Sequence, residues 1–173
     1  MKKYIINTAL LVAVIGLTVQ CQQRRSNGSA ASETKENIGN LSEDTALYAT
    51  LESVEATPSL QDSVLIRFTV NNPTQDTLRF TTYHTPFEGS ISKFLTIKDS
   101  AGNGVDYIGP MVKRVMPPPA DTYHIIAPDQ KESVTFDLKK SYRIEVGTYT
   151  LQYNGENISG VMNGEALTIT VTE

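Results

Sequence analysis

Cys21 is the only thiol in the sequence, and His84 and His124 are its only imidazoles. With nothing beyond Cys21 to pair with or to attack from, neither an internal disulfide nor a cysteine nucleophile is expected in the rest of the chain. The two histidines do not have the HExxH spacing that sets a pair of imidazoles on one helix face around zinc. They could share a metal with Asp121 if the fold joined all three; otherwise they are ordinary surface histidines. No G-x-S-x-G turn exposes a serine, and no glycine-rich loop could cradle a phosphate. Glu88, Asp106, Asp121 and Asp129 lie scattered along the chain. Each is expected to be solvated rather than paired for acid–base work. The expectation is a non-enzyme with no catalytic residue, no metal and no cofactor.

The chemistry open to Cys21 is modification. Lys2 and Lys3 form a basic start, residues 5–19 are mostly apolar, and Cys21 follows at once. Basic start, short apolar core and early processing site are the layout of a secretory signal. The apolar run is short for the roughly 30 Å of bilayer hydrocarbon. A lone cysteine at its end predicts a lipoprotein signal at residues 1–20, with Cys21 acylated as the first mature residue. Gln20 departs from the small residue usual before such a cysteine. The membrane partner is therefore expected to be reached through N-terminal acyl chains, on the periplasmic or outer-membrane face of a bacterial envelope.

Removal of residues 1–20 leaves 153 residues, 13 basic against 19 acidic, for a net charge of −6. A surface of that sign repels nucleic acid, which is not expected as a partner. Residues 21–45 are rich in Ser, Asn, Gly, Glu and Lys, with Ile38 and Leu41 as their only large aliphatics. So little apolar area does not offset the entropy of ordering. The segment reads as a flexible tether.

From residue 46 to 173 the texture changes to short runs of alternating apolar and polar residues. Val64, Ile66, Phe68 and Val70 alternate with Leu65, Arg67 and Thr69. Val134, Phe136 and Leu138 follow the same period, as do Tyr149, Leu151 and Tyr153, and Leu167, Ile169 and Val171. This period of two predicts strands buried on one face. Weaker strands are predicted at 47–54, 77–80, 94–98, 105–107, 111–115 and 123–126. The cluster at 72–76 reads as a turn, and 99–104 and Asn163-Gly164 as hairpin closures. Pro117-Pro118-Pro119 must be an extended connector outside any central strand. Many short strands and no helical stripe predict an all-β fold, here an immunoglobulin-like antiparallel β-sandwich. Tyr149, two residues before Leu151, has the spacing of a tyrosine corner or is an ordinary strand tyrosine.

Residues 83–123 hold the unusual composition. Thr85, Pro86, Phe87 and Glu88 are followed by Gly109, Pro110, Met111, Lys113 and Arg114, and then by the proline run. Bulky groups on proline-braced loops suit a partner-binding surface, because rigidity lowers the entropy cost of association. Proline and glycine could equally be shaping turns. Phe87 is read as a cap on the core, and Lys113 and Arg114 are left open.

The motifs N-N-P-T-Q-D-T-L at 71–78, T-P-F-E-G at 85–89, Y-I-G-P-M-V-K-R at 107–114, I-A-P-D-Q-K-E-S at 126–133, D-L-K-K-S-Y at 137–142 and G-T-Y at 147–149 occur in that order. Together, over about half of the chain, they resemble the non-catalytic N-terminal domain of bacterial deuterolysin-type metallopeptidases, the family that includes peptidyl-Lys metalloendopeptidase. Asp129 stands where that family's turn usually has glycine. The resemblance implies a β-sandwich and an association with proteases. The zinc domain of those enzymes lies beyond the matched region, so no zinc ligand or catalytic residue is carried over. It implies a pro-region-like module that binds, restrains or helps fold a secreted metallopeptidase. An envelope structural or adhesion protein, and the non-catalytic part of a metallopeptidase encoded separately, are the other readings open to the sequence.

Overall fold

The computed structural model describes residues 46–155 and 158–173. The expected signal at 1–20, the tether at 21–45 and Cys21 itself lie outside the described residues. The described part is all-β: nine strands, three single-turn 3-10 helices and no α-helix.

Alternation becomes burial most plainly in β2 (Leu65–Asn71), where Ile66, Phe68 and Val70 are fully buried and Arg67 is exposed. β2 lies between β1 (Tyr48–Ser53) and β6 (Lys131–Asp137), antiparallel to both. The short β8 (Met162–Asn163) adds to β1 in parallel and closes a sheet ordered β6-β2-β1-β8. A second sheet places β7 (Gly147–Tyr153) between β4 (Leu95–Asp99) and β9 (Leu167–Val171). β3 (Leu78–Thr81) and β5 (Tyr123–Ile126) form a two-stranded ribbon.

One core joins the three sheets. The Phe68 ring meets Tyr153 of β7 edge-on at 5.0 Å, and Phe94 meets Phe136 of β6 edge-on at 5.1 Å. Edge-to-face rings satisfy the aromatic quadrupole and add to the area they bury. Phe68, Phe136 and Leu151, assigned to one face by their spacing, do share this core. Tyr149 closes the turn before β7: its hydroxyl accepts from the Glu145 N–H and donates to the Glu145 carbonyl, both at 3.1 Å.

Three expectations are corrected. Residues 105–107 form no strand; within them only Tyr107 makes an isolated bridge, with Tyr142. Residues 111–115 form no strand. They lie between Pro110 and Pro117, and no described strand takes up their backbone; β-branched residues without a pairing partner do not make a sheet. Asn163-Gly164 is not a hairpin closure, because β8 pairs with β1 whereas β9 pairs with β7. Gly164 passes so close to β1 that a Cβ there would lie 2.1 Å from the Ala49 carbonyl oxygen. The glycine serves a crossing between sheets.

Asn72 holds the turn that was expected at 72–76. Its carboxamide accepts from the Thr74 N–H at 3.1 Å and donates to the carbonyls of Asp76, Ile126 and Ala127 at 2.8 to 3.1 Å. That ties the entry of β3 to the exit of β5. Asp129, in the neighbouring turn, has φ of +57°. This is the left-handed region that glycine enters freely and aspartate tolerates.

Candidate functional site

The two loops singled out by composition do meet, through charge. Thr85 opens a single turn at Pro86–Glu88, its hydroxyl accepting from the Phe87 N–H at 3.2 Å and donating to the Thr82 carbonyl at 2.7 Å. The turn aims Glu88 inward, where Arg114 reaches it with a bidentate grip. Nε donates to Oε2 at 3.0 Å, and Nη2 donates to Oε1. The two side chains are only 8% and 7% exposed. Glu88 Oε1 also accepts from the His84 N–H at 2.8 Å and the Ser92 hydroxyl at 2.7 Å. Arg114 lies over the Tyr83 ring at 5.2 Å and donates from Nη1 to the Val112 carbonyl at 2.9 Å. Planar, forked guanidinium suits such a site, since each of its three nitrogens finds a fixed acceptor.

The expected partner-binding set therefore divides. Thr85 and Pro86 are buried, and Glu88 and Arg114 have buried side chains. These four are corrected from contact residues to the anchor of the loop. Phe87 caps the core as expected, 5.2 Å from both the Phe80 and His124 rings and 6.2 Å from Phe68. Glu88 is likewise corrected from a solvated carboxylate to a paired one. Gly109 lies under the Tyr107 ring, where a Cβ would come 2.6 Å from the phenol oxygen. That phenol donates to the Pro110 carbonyl at 2.7 Å.

What the anchor holds outward is apolar. Met111 is 80% exposed, Val115 69%, Met116 59% and Ile108 53%. Val112 and Lys113 are exposed beside them, and Ile125 is exposed on β5. Composition pointed to the stretch 107–114, with Met111 and Lys113 in it; Val115, Met116 and Ile125 were missed as surface groups. Strand-like spacing had assigned several of them to sheet positions.

His84 sits against the ion pair with φ of +57°. Its Nδ1 is buried without a hydrogen-bond partner. Burial lowers its pKa, the nearby Arg114 charge lowers it further, and Glu88 partly offsets both. Tyr153 shares a 2.6 Å hydrogen bond with Ser159 and donates to the His84 carbonyl at 3.4 Å; burial pushes its pKa up to about 12. His124 lies on β5, its Nδ1 2.7 Å from Glu132, and Asp121 is exposed in the turn at Ala120–Thr122. Among the described residues no three His, Cys, Asp or Glu side chains gather as metal ligands would. A separate open cleft of about 470 Å³ on the β4–β7 face is lined by Thr96, Lys98, Thr150 and Gln152 among others, with no carboxylate or histidine.

No family model and no curated protein matches this chain. Among solved structures it is similar to a β-glucosidase from Listeria innocua. The complex with gluconolactone aligns at 10% identity and a TM-score of 0.34, over 73% of this chain and 16% of that one. The complex with glucose gives 9% and 0.33 over the same shares. The chain thus spans 16% of the length of those enzymes. Overlap so loose and partial carries no argument about activity.

Proposed function

We propose that this chain is a lipid-anchored protein of the bacterial cell envelope whose folded part is a non-catalytic binding module. In this reading the fold is an immunoglobulin-like antiparallel β-sandwich. Its support is the Tyr149–Glu145 hydrogen-bonded corner two residues before buried Leu151, with aromatic pairs packing strands of different sheets together. The partner is a secreted metallopeptidase of the deuterolysin type, as the order of motifs from 71 to 149 implies. The contact surface is the loop at 108–116.

One observation carries the reading. A loop exposing Met111, Val112, Val115 and Met116 to solvent is held by a buried, bidentate ion pair. Exposed apolar groups ordinarily cost solubility unless they have a use. A buried pair fixes geometry more than it adds stability. Together they describe a preorganised contact surface, in which little entropy remains to be lost on binding.

The test is the binding of the full chain to a deuterolysin-type metallopeptidase from the same organism, measured by surface-immobilised kinetics. Micromolar or tighter binding is expected. A Met111→Asp, Val115→Asp variant with unchanged melting temperature should bind at least about tenfold more weakly, as loss of central apolar contacts requires. Absence of binding at micromolar concentration overturns the reading.

A further inference from the structure

The loop has a second property that a merely sticky surface does not need. The N–H groups of Ile108 and Gly109 both donate to the Ser141 carbonyl, at 2.8 and 3.3 Å. The next backbone bond comes only at Thr122, which donates to Pro119 at 3.1 Å. Between them, residues 110–118 make no backbone–backbone hydrogen bond with any described residue. The Pro110 and Val112 carbonyls are taken by the Tyr107 hydroxyl and the Arg114 guanidinium, but the N–H groups of 111–116 can still be offered to a partner strand, the basis of recognition by strand addition. Lys113 stands in the middle, exposed, with no acidic residue between 107 and 120. Arg114, its neighbour, is turned inward and neutralised by Glu88. The loop thus offers one outward cation flanked by apolar side chains.

We propose that residues 111–115 are a substrate-like strand for the cleft of an endopeptidase with an acidic specificity pocket, Lys113 filling that pocket, and that the Glu88–Arg114 pair prevents turnover. This rests on the reading of the loop as the contact surface and names how it is used. Hydrolysis of the Lys113–Arg114 bond would add water, its hydroxyl to the Lys113 carbonyl carbon and its proton to the Arg114 nitrogen. Arg114 is on the leaving side of that bond, yet its guanidinium bonds both to Glu88 and to the Val112 carbonyl on the acyl side. The cut ends would stay together, so the Arg114 amine remains in place to displace water and reform the bond. Intramolecular return from a held geometry outpaces escape. The loop binds as a substrate and leaves uncut.

Trypsin, whose pocket is acidic, is the probe. The full chain should bind anhydrotrypsin, which lacks the nucleophilic hydroxyl, at micromolar or lower concentration. Lys113→Ala should weaken this about a hundredfold, and Lys113→Arg should retain it. Active trypsin should cut 113–114 at least a hundredfold more slowly than it cuts the free peptide of residues 107–120, with cleavage followed by mass spectrometry. Glu88→Gln should speed that cut; if this variant does not fold, the peptide and Lys113 comparisons decide alone. Cleavage at the free-peptide rate overturns the proposal, as does absence of anhydrotrypsin binding or binding indifferent to Lys113→Ala. A metallopeptidase that binds parent and Lys113→Ala equally, with anhydrotrypsin unbound, overturns this inference and leaves the binding-module reading standing. Tight anhydrotrypsin binding without metallopeptidase binding does the reverse.

Discussion

At the residue scale the fold turns on Glu88. Its carboxylate accepts from Arg114, the His84 N–H and the Ser92 hydroxyl, and the side chain is almost fully buried. Removing one member of a buried pair strands the other charge. Glu88→Ala is expected to destabilise by about 3–5 kcal/mol in denaturant titration. A Glu88→Leu, Arg114→Met double variant should recover most of that loss, because no charge is left unpaired. His84 gives a pH dependence whose sign follows from its lowered pKa. A histidine depressed in the folded state favours folding above its unfolded value, about 6.5. That contribution is lost as pH falls through the folded value, because the unfolded chain binds the proton more readily. His84→Asn, which tolerates the positive φ, should melt with a smaller acid-side decline between pH 7.5 and 5 than the parent. An identical decline would assign the effect to other groups. None of this was legible in the sequence, where Glu88 and Arg114 stand 26 positions apart. Composition marked both residues without showing that each answers the other.

At the element scale the sequence was a better guide. The period of two over 64–70, 149–153 and 167–171 marks β2, β7 and β9, since side chains on a strand must alternate between faces. It was silent on β8, whose two residues are too few to carry a period, and the weaker strand expected at 111–115 is instead a loop bounded by Pro110 and Pro117. Pairing is the missing information: a strand is defined by the neighbour that takes its hydrogen bonds, and Asn163-Gly164 reads alike before a hairpin or a crossing. Phe136 tests the phase assigned to β6. It pairs with Ile66 in register and packs on Phe94. Phe136→Ala is expected to cost about 3–5 kcal/mol by equilibrium unfolding, the transfer loss plus the cavity left behind. A loss below about 1 kcal/mol would mean that the core closes without this ring.

At the scale of the whole molecule the proposed membrane attachment can be tested against a second source. The reading proposed above assigns the anchor to Cys21, where acyl chains would supply about 0.8 kcal/mol for each buried CH2. The structure raises a competitor, because Met111, Val115 and Met116 project from a loop whose exposed cation is Lys113. Exposed apolar groups beside a lysine could themselves rest among lipid headgroups. The two sources separate in one experiment. Acyl chains act through many methylenes, whereas the loop offers a few side chains and the remainder of the mature domain is acidic. Cys21→Ser alone is therefore expected to move the protein from the detergent phase to the aqueous phase on cell fractionation, with the loop intact. If the variant stays with the detergent phase, the anchor is not Cys21. Adding Met111→Asp and Val115→Asp to Cys21→Ser then tests the loop: release of the triple variant would make the contact surface itself the membrane attachment and leave no free face there for a peptidase.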